Sequence, residues 1–177
     1  MNKEIERKFI LRDLPIEFIQ DEEIQHILQY YYLVDGNWSR IRNIESNTRG
    51  VLYLHTIKTY IDNVCYETEE YYSYERYKQL MNDIENGVYE SRFLSKTRYV
   101  YTTGIVADFD GVEKSIKWEF DVFDKIHLMI AEVEIPSLDY NLIIPKTLEK
   151  YIIYEVSNIK EFSNKNLSVI HKNKKTI

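Results

Sequence analysis

The sequence predicts a mainly β fold of the α+β class: an antiparallel barrel built from about eight strands, with a few flanking helices. Three observations predict it. Residues that favour strands are abundant, with 16 tyrosines among 177 residues and many isoleucines and valines. Short runs of strand character recur at even spacing with turn signals between them. In most of these runs charged residues fall two apart, the period at which strand side chains share a face. With five glycines and three prolines the chain leaves little room for long linkers. Its length suits a single domain over residues 1–177.

The elements follow in order. A first strand near 3–10 places Glu4, Glu6 and Lys8 at period two, with Ile5 and Phe9 on the other face. The stretch DEEIQHIL at 21–28 can open as a helical turn. Strands over 27–34 and 37–44 flank a DGN turn at 35–37, and strands over 50–60 and 64–72 flank IDN at 61–63. SYERYKQLMNDIENG, residues 73–87, spaces Tyr77, Leu80, Met81 and Ile84 by threes and fours and stops at Gly87, as an amphipathic helix does. Strands over 91–102 and 115–123 lie on either side of DFDG at 108–111, and the last strand covers 128–135. A short helix is expected after Pro145, since proline suits a first helical turn. The basic tail HKNKKTI reads as a frayed, solvated end.

Bulk chemistry sets limits. Hydrophobic residues make up 44% and charged residues 29%, a soluble globular profile. A net charge of −6 gives no sign of a nucleic-acid face, so no nucleic-acid partner is expected. The opening MNKEIERK lacks the apolar segment of a signal peptide, and no run of 18 apolar residues occurs. The expectation is a cytoplasmic protein without a membrane partner. Cys65 is the single cysteine, which excludes an internal disulfide framework and leaves a structural thiol. His26, His55, His127 and His171 show no ligand spacing and are expected at surface or satisfied positions. Met81 and Met129 are expected in the core. Association as a homodimer stays open.

The charged alternation carries the functional signal. Arg40 and Arg42 lie in WSRIRN, Lys58 in TIKTY, Glu67 and Glu69 in YETEEY, Lys96 and Arg98 in LSKTRY, Glu119 and Asp121 in KWEFDVF, and Glu132 and Glu134 in IAEVEIP. Any one pair alone reads as a solvated strand face. Together they read differently. Each strand is largely of one sign, and like charges side by side repel unless an opposite charge neutralises them. Apolar groups fill the alternate positions or lie close by: Trp118, Phe120 and Val122; Ile130, Val133 and Ile135. A barrel with its charges inward needs a polar occupant. Lys8, Arg40, Arg42, Lys58, Lys96 and Arg98 suit phosphate oxygens. The carboxylates suit Mg²⁺ or Mn²⁺, which also bind phosphate. A polyphosphate with a divalent metal is therefore the expected ligand, with Arg40, Arg42, Lys96 and Arg98 all facing it.

The opening EIERK fits an ExExK pattern. It is followed in order by Tyr32-Leu33, SRIR, TIK, ETE, SKTRY, WEFDVF, AEVEIP, YEVSN and SNKNLS. Over nearly its whole length the chain resembles the CYTH superfamily, the triphosphate tunnel metalloenzymes, and most closely their bacterial inorganic tripolyphosphatase branch. The resemblance implies a closed, eight-stranded antiparallel tunnel and metal-dependent hydrolysis of tripolyphosphate to pyrophosphate and phosphate. It implies Glu4, Glu6, Glu119, Asp121, Glu132 and Glu134 as ligands of Mg²⁺ or Mn²⁺. Lys8, Arg40, Arg42, Lys58, Lys96 and Arg98 become the phosphate contacts, and Lys8 with Tyr32 the catalytic pair beside the attacking water. A lysine among cations loses its proton more readily, which gives Lys8 a route to that role; plain clamping is the other. Tyr30, Tyr31 and Tyr32 stand where the family often has Gln-Gly-Tyr, so strand register decides which of them faces inward. The register of Glu67 and Glu69 is open in the same way. Other functions remain: cyclisation of ATP as in class IV-type adenylyl cyclases, thiamine or nucleoside triphosphate hydrolysis, and non-catalytic polyphosphate binding. The intact carboxylates count against the last, and the missing HFxGKYExE opening counts against the cyclase.

Overall fold

The structure, a computed structural model, describes residues 2–19, 23–62 and 64–170. It is mainly β, with strands β1 (Asn2–Glu4), β2 (Glu6–Leu11), β3 (Glu23–Val34), β4 (Asn37–Ser46), β5 (Gly50–Ile61), β6 (Val64–Tyr71), β7 (Ser91–Phe109), β8 (Val112–Phe123), β9 (Met129–Glu134), β10 (Ile152–Glu155) and β11 (Val169–Ile170). Its helices are α1 (Tyr74–Glu85), α2 (Lys146–Glu149) and α3 (Asn164–Leu167). By their internal contacts the residues divide into two compact units. Residues 2–3, 26–95 and 160–170 make one, and residues 4–19, 23–25 and 96–159 the other, among those described.

The first unit is a row of antiparallel strands, β6–β5–β4–β3. Asp35 and Gly36, at φ 48° and 79°, make the tight two-residue turn between β3 and β4 that the DGN signal predicts. In the row Arg40 stands opposite Thr56, Thr56 opposite Glu69, and Lys58 opposite Glu67. The other face is apolar. Tyr32, Ile41 and Ile84 are buried there, with Tyr30, Val34, Tyr72, Tyr77, Leu80, Met81 and Tyr89 packed around them. The apolar stripe of α1 therefore covers the sheet face opposite Arg40 and Arg42. Ser73 caps this helix, its hydroxyl accepting the Arg76 N–H at 3.3 Å. Gly87, at φ 74°, follows its C-terminal end.

The second unit is the row β7–β8–β9–β2–β10, with β7 entering at Lys96. Its core is one face of that row: Phe9, Leu11, Ile116, Trp118, Phe120, Ala131 and Val133, covered by Phe18 and Leu148. Phe9 and Trp118 meet at a centroid distance of 5.7 Å, and Phe18 meets Phe120 at 6.1 Å. Burying each such side chain stabilises by about 1.5–3 kcal/mol. Because side chains alternate, fixing Trp118 and Phe120 in this core turns Glu119 and Asp121 to the opposite face.

The structure departs from the sequence reading at several points, beginning with the first strand, which is divided into β1 and β2. DEEIQHIL does not open as a helical turn from Glu23 onward. That part begins β3, with Gln25 and Ile27 buried and His26 and Leu28 exposed, the period of a strand; Asp21 and Glu22 lie outside the described residues. The strand β10 went unread, because four residues after a proline-led helix give too little periodicity. Closure into an eight-stranded barrel is not seen: the order of the described strands ends at β1 and at β10. β10 occupies the free edge of β2, pairing Ile152 with Leu11 and Glu155 with Phe9, and the Arg7–Glu155 ion pair at 2.6 Å holds it there. The tail with His171 lies outside the described residues.

Candidate functional site

The charged face of the second unit is assembled by register. Asp121 stands opposite Arg98, Glu119 opposite Glu132, and Glu132 opposite Lys8. Four neighbouring strands thus bring their charges into one patch. Arg98 donates from Nε to Asp121 Oδ1 at 2.7 Å and from Nη2 to Asp121 Oδ2 and Glu132 Oε2, each at 2.8 Å. Its Nη1 pairs with Glu119. Lys96 pairs with Asp121. Lys8 Nζ reaches Glu132 Oε1 at 2.7 Å and Glu6 Oε1 at 2.8 Å. Asp121 is 0% exposed, Lys96 3% and Glu132 5%. Charges this deep persist only because each has a partner.

The electrostatics separate the two lysines. Burial pulls the Lys8 ammonium down, but Glu132 and Glu6 outweigh it and raise its pKa. Lys8 is thus held protonated, and the route by which a lysine among cations sheds its proton does not operate on it here. Lys96 is lowered, by burial first and by the neighbouring Arg98 second. Glu132 loses solvation, yet Lys8, Lys96 and Arg98 hold its carboxyl well below the usual range. Glu119 goes the other way, raised by loss of solvation and by Asp121 and Glu132 against the pull of Arg98.

The first unit carries a second charged face. Arg40 donates to Thr56 Oγ1 at 3.2 Å and to Glu67 Oε1 at 3.3 Å. Arg42 donates to Glu69 at 2.8 Å, and Lys58 pairs with Glu67 at 2.9 Å. Burial raises the Glu67 carboxyl, but Arg40 and Lys58 carry it below its ordinary value. The ETE register left open by the sequence is settled: Glu67 and Glu69 share the face of Arg40 and Arg42. Thr56, which the sequence reading passed over, is 1% exposed and bonded to both Arg40 and Glu69. Its spacing of two from Lys58 was the available signal.

Arg40, Lys96 and Arg98 are buried, and only 12% of the Arg42 side chain is exposed, so none of the four stands in open solvent. Glu4 is half-buried and Glu134 is exposed, opposite Glu6 on the neighbouring strand. Tyr32 is placed differently from the expected catalytic position. Its hydroxyl is bonded to His55 Nε2 at 2.8 Å, within the core under α1, and burial pushes its pKa up to about 12. Tyr31, one residue away, is on the β3 face of Ile27, which packs with Ile44 and Leu54; Leu54 pairs with Arg42. Register thus gives Tyr31, not Tyr32, the face of the arginines. His55 is buried and satisfied, and His26 and His127 are exposed.

The like-charged strands expected to need a ligand are neutralised by their neighbours. This also bears on a metal. Among the described residues, no three carboxylates, histidines or cysteines are grouped to hold an ion. Asp121 and Glu132, two of the expected ligands, are spent on Lys8, Lys96 and Arg98. As arranged here, the residues do not fit a preformed metal site.

No family model matches the chain, and no curated protein matches it. Solved structures are similar to it, among them the following two. The PH1819 protein from Pyrococcus horikoshii shares 19% identity, with 77% of this chain and 80% of that one covered and a TM-score of 0.53. A candidate adenylate cyclase, bh2851, from Bacillus halodurans shares 16% identity over 77% and 83% of the two chains, with a TM-score of 0.46. The chain therefore has a fold like that of the PH1819 protein.

Proposed function

We propose that the chain belongs to the CYTH superfamily and hydrolyses inorganic tripolyphosphate to pyrophosphate and phosphate. The observation that carries the reading is the buried face on which Lys8 from β2 and Lys96 and Arg98 from β7 converge. A solvated outer face has no use for cations at this depth, whereas phosphoryl oxygens need several donors at once. Phosphoryl transfer asks a protein mainly for positioning and charge stabilisation. Arg98 presents a planar fork, and Lys8 and Lys96 present point charges, to the oxygens of one phosphate chain. A water oxygen bonds to the terminal phosphorus as the bridging P–O bond breaks. Pyrophosphate leaves with the bonding electrons, and the water's proton passes to solvent. The cations stabilise the negative charge that grows on the leaving group. Lys8, held protonated, clamps. Tyr32, bonded to His55, holds the core beneath β3.

The Arg40, Arg42 and Lys58 face of the first unit is by itself a cationic set of the same chemistry. The closed eight-stranded tunnel goes with the reading as an expectation of the family, not as a property of the described strands. The test is release of phosphate from tripolyphosphate, pyrophosphate, ATP and thiamine triphosphate, in Mg²⁺, in Mn²⁺ and in EDTA. The expected outcome is a kcat/KM for tripolyphosphate above that for ATP, and activity lost in EDTA. A ratio below one, or cyclic AMP as the main product from ATP, overturns the assignment.

A further inference from the structure

We infer that Thr56 is a positioning residue: its buried hydroxyl stands between the Arg40 guanidinium and the Glu69 carboxylate, holds the two apart, and so keeps Arg40 presented to a phosphate chain instead of spent on an internal ion pair. The inference rests on the phosphate-binding reading of the Arg40, Arg42 and Lys58 face and deepens it by naming a residue that sets the affinity of that face.

Register brings the three groups into line. Arg40 on β4 stands opposite Thr56 on β5, and Thr56 stands opposite Glu69 on β6. Thr56 is 1% exposed. Its Oγ1 accepts from Arg40 Nη2 at 3.2 Å and donates to Glu69 Oε1 at 3.2 Å. The direction of both bonds is forced. A guanidinium only donates, so the single hydroxyl hydrogen is left for the carboxylate. Threonine suits this task, because its branched Cβ restricts χ1 and fixes where the hydroxyl lies.

The third side of this triangle is the informative one. Arg40 Nη2 and Glu69 Oε1 lie 3.8 Å apart, about 1 Å beyond a common N–H···O bond. Opposite charges thus stand close without closing, because the hydroxyl serves one as acceptor and the other as donor. Neighbouring pairs on the face are closed: Arg42 Nη2 lies 2.8 Å from the same Glu69 oxygen, and Lys58 Nζ lies 2.9 Å from Glu67. Arg40 meets Glu67 at a longer 3.3 Å. Removing the Thr56 hydroxyl takes one partner from Arg40 and one from Glu69 at the same moment. A charged group that loses a buried hydrogen bond takes the next partner within reach, and here a shift of about 1 Å joins the two directly. A phosphate oxygen would then gain Arg40 only by breaking that ion pair.

The test is steady-state hydrolysis of tripolyphosphate by the whole chain in Mg²⁺, with kcat and KM separated and Tm measured alongside. Thr56→Val keeps the branched shape and removes the hydroxyl. It should raise KM on the order of tenfold with kcat little changed. Thr56→Ser keeps the hydroxyl and should bring KM back close to that of the unmodified chain. Glu69→Gln is the discriminating arm. A neutral amide attracts Arg40 less than a carboxylate does, so Thr56→Val added to Glu69→Gln should raise KM much less than it does alone. Lost packing by itself would lower Tm alike in both backgrounds and leave KM where it was. Should the valine variant not fold, Thr56→Ala removes the same hydroxyl without adding bulk and carries the same expectation. An unchanged KM in Thr56→Val, a serine variant as impaired as the valine one, or an equal KM rise in the Glu69→Gln background overturns the inference and leaves the phosphate reading standing. No phosphate release by the unmodified chain overturns both.

Discussion

Asp121 and Glu69 are the same kind of group on the same kind of strand, yet their loss should differ sharply. Asp121 is fully buried between Lys96 and Arg98. Replacing it by asparagine leaves two buried cations short of a partner and should cost about 3–5 kcal/mol. The Glu69 side chain is 41% exposed, and glutamine keeps an acceptor oxygen for Arg42 and Thr56, so Glu69→Gln should cost less, about 1 kcal/mol. Urea unfolding of both variants checks the contrast, and similar losses would show that burial does not govern these pairs. The sequence made the identity of these residues legible, because period-two spacing on several strands is an intrinsic pattern. Their partners were not legible. Which carboxylate meets Arg98 depends on strand neighbours and register, and neither is written in a single strand. The three adjacent tyrosines show the same limit: a shift of one residue exchanges Tyr31 for Tyr32 between the two faces of β3.

The elements read from sequence were those with a long, unbroken period. α1 is the clearest: Tyr77, Leu80, Met81 and Ile84 pack where their spacing puts them, and Ser73 and Gly87 bound the helix. The hairpin β7–β8 extends beyond its expected ends, to Phe109 and from Val112, because pairing resumes after a register shift between Thr102 and Val106 that interrupts the period. β10 was missed for want of length. α1 also offers a test of what holds it in place. Ile84 is 0% exposed against Ile41 and Tyr32, so Ile84→Ala should cost about 2–5 kcal/mol through lost burial and a cavity. Ser73→Ala removes only the cap and should cost about 0.5–2 kcal/mol. A larger loss for Ser73→Ala would mean that local helix stability, not packing, fixes the element.

Across the whole molecule, burial and ion pairing set how stability follows pH. Arg7 lowers the Glu155 carboxyl through its hydrogen bond, and Glu67 and Glu132 are lowered by their cations despite burial. Carboxyls lowered on folding contribute stability that is present above their unfolded value near 4.5 and is lost as pH falls through the folded value. Burial raises Tyr32 and Tyr77 from 10.0 to about 12. Groups raised on folding contribute stability that is full below 10 and is lost between 10 and about 12. Thermal unfolding should therefore show stability falling as pH drops below about 4.5 and again as it rises above 10; a midpoint that rises above pH 10 would contradict the buried tyrosines. The pairing of β2 with β9 has a consequence in time as well as in space. Lys8 stands opposite Glu132, so during synthesis its ammonium waits for a carboxylate 124 residues later. Until then β2 has no sheet to join, because its neighbours β9 and β10 both come later in the chain, which makes it a natural client for chaperones that shield unpaired edges.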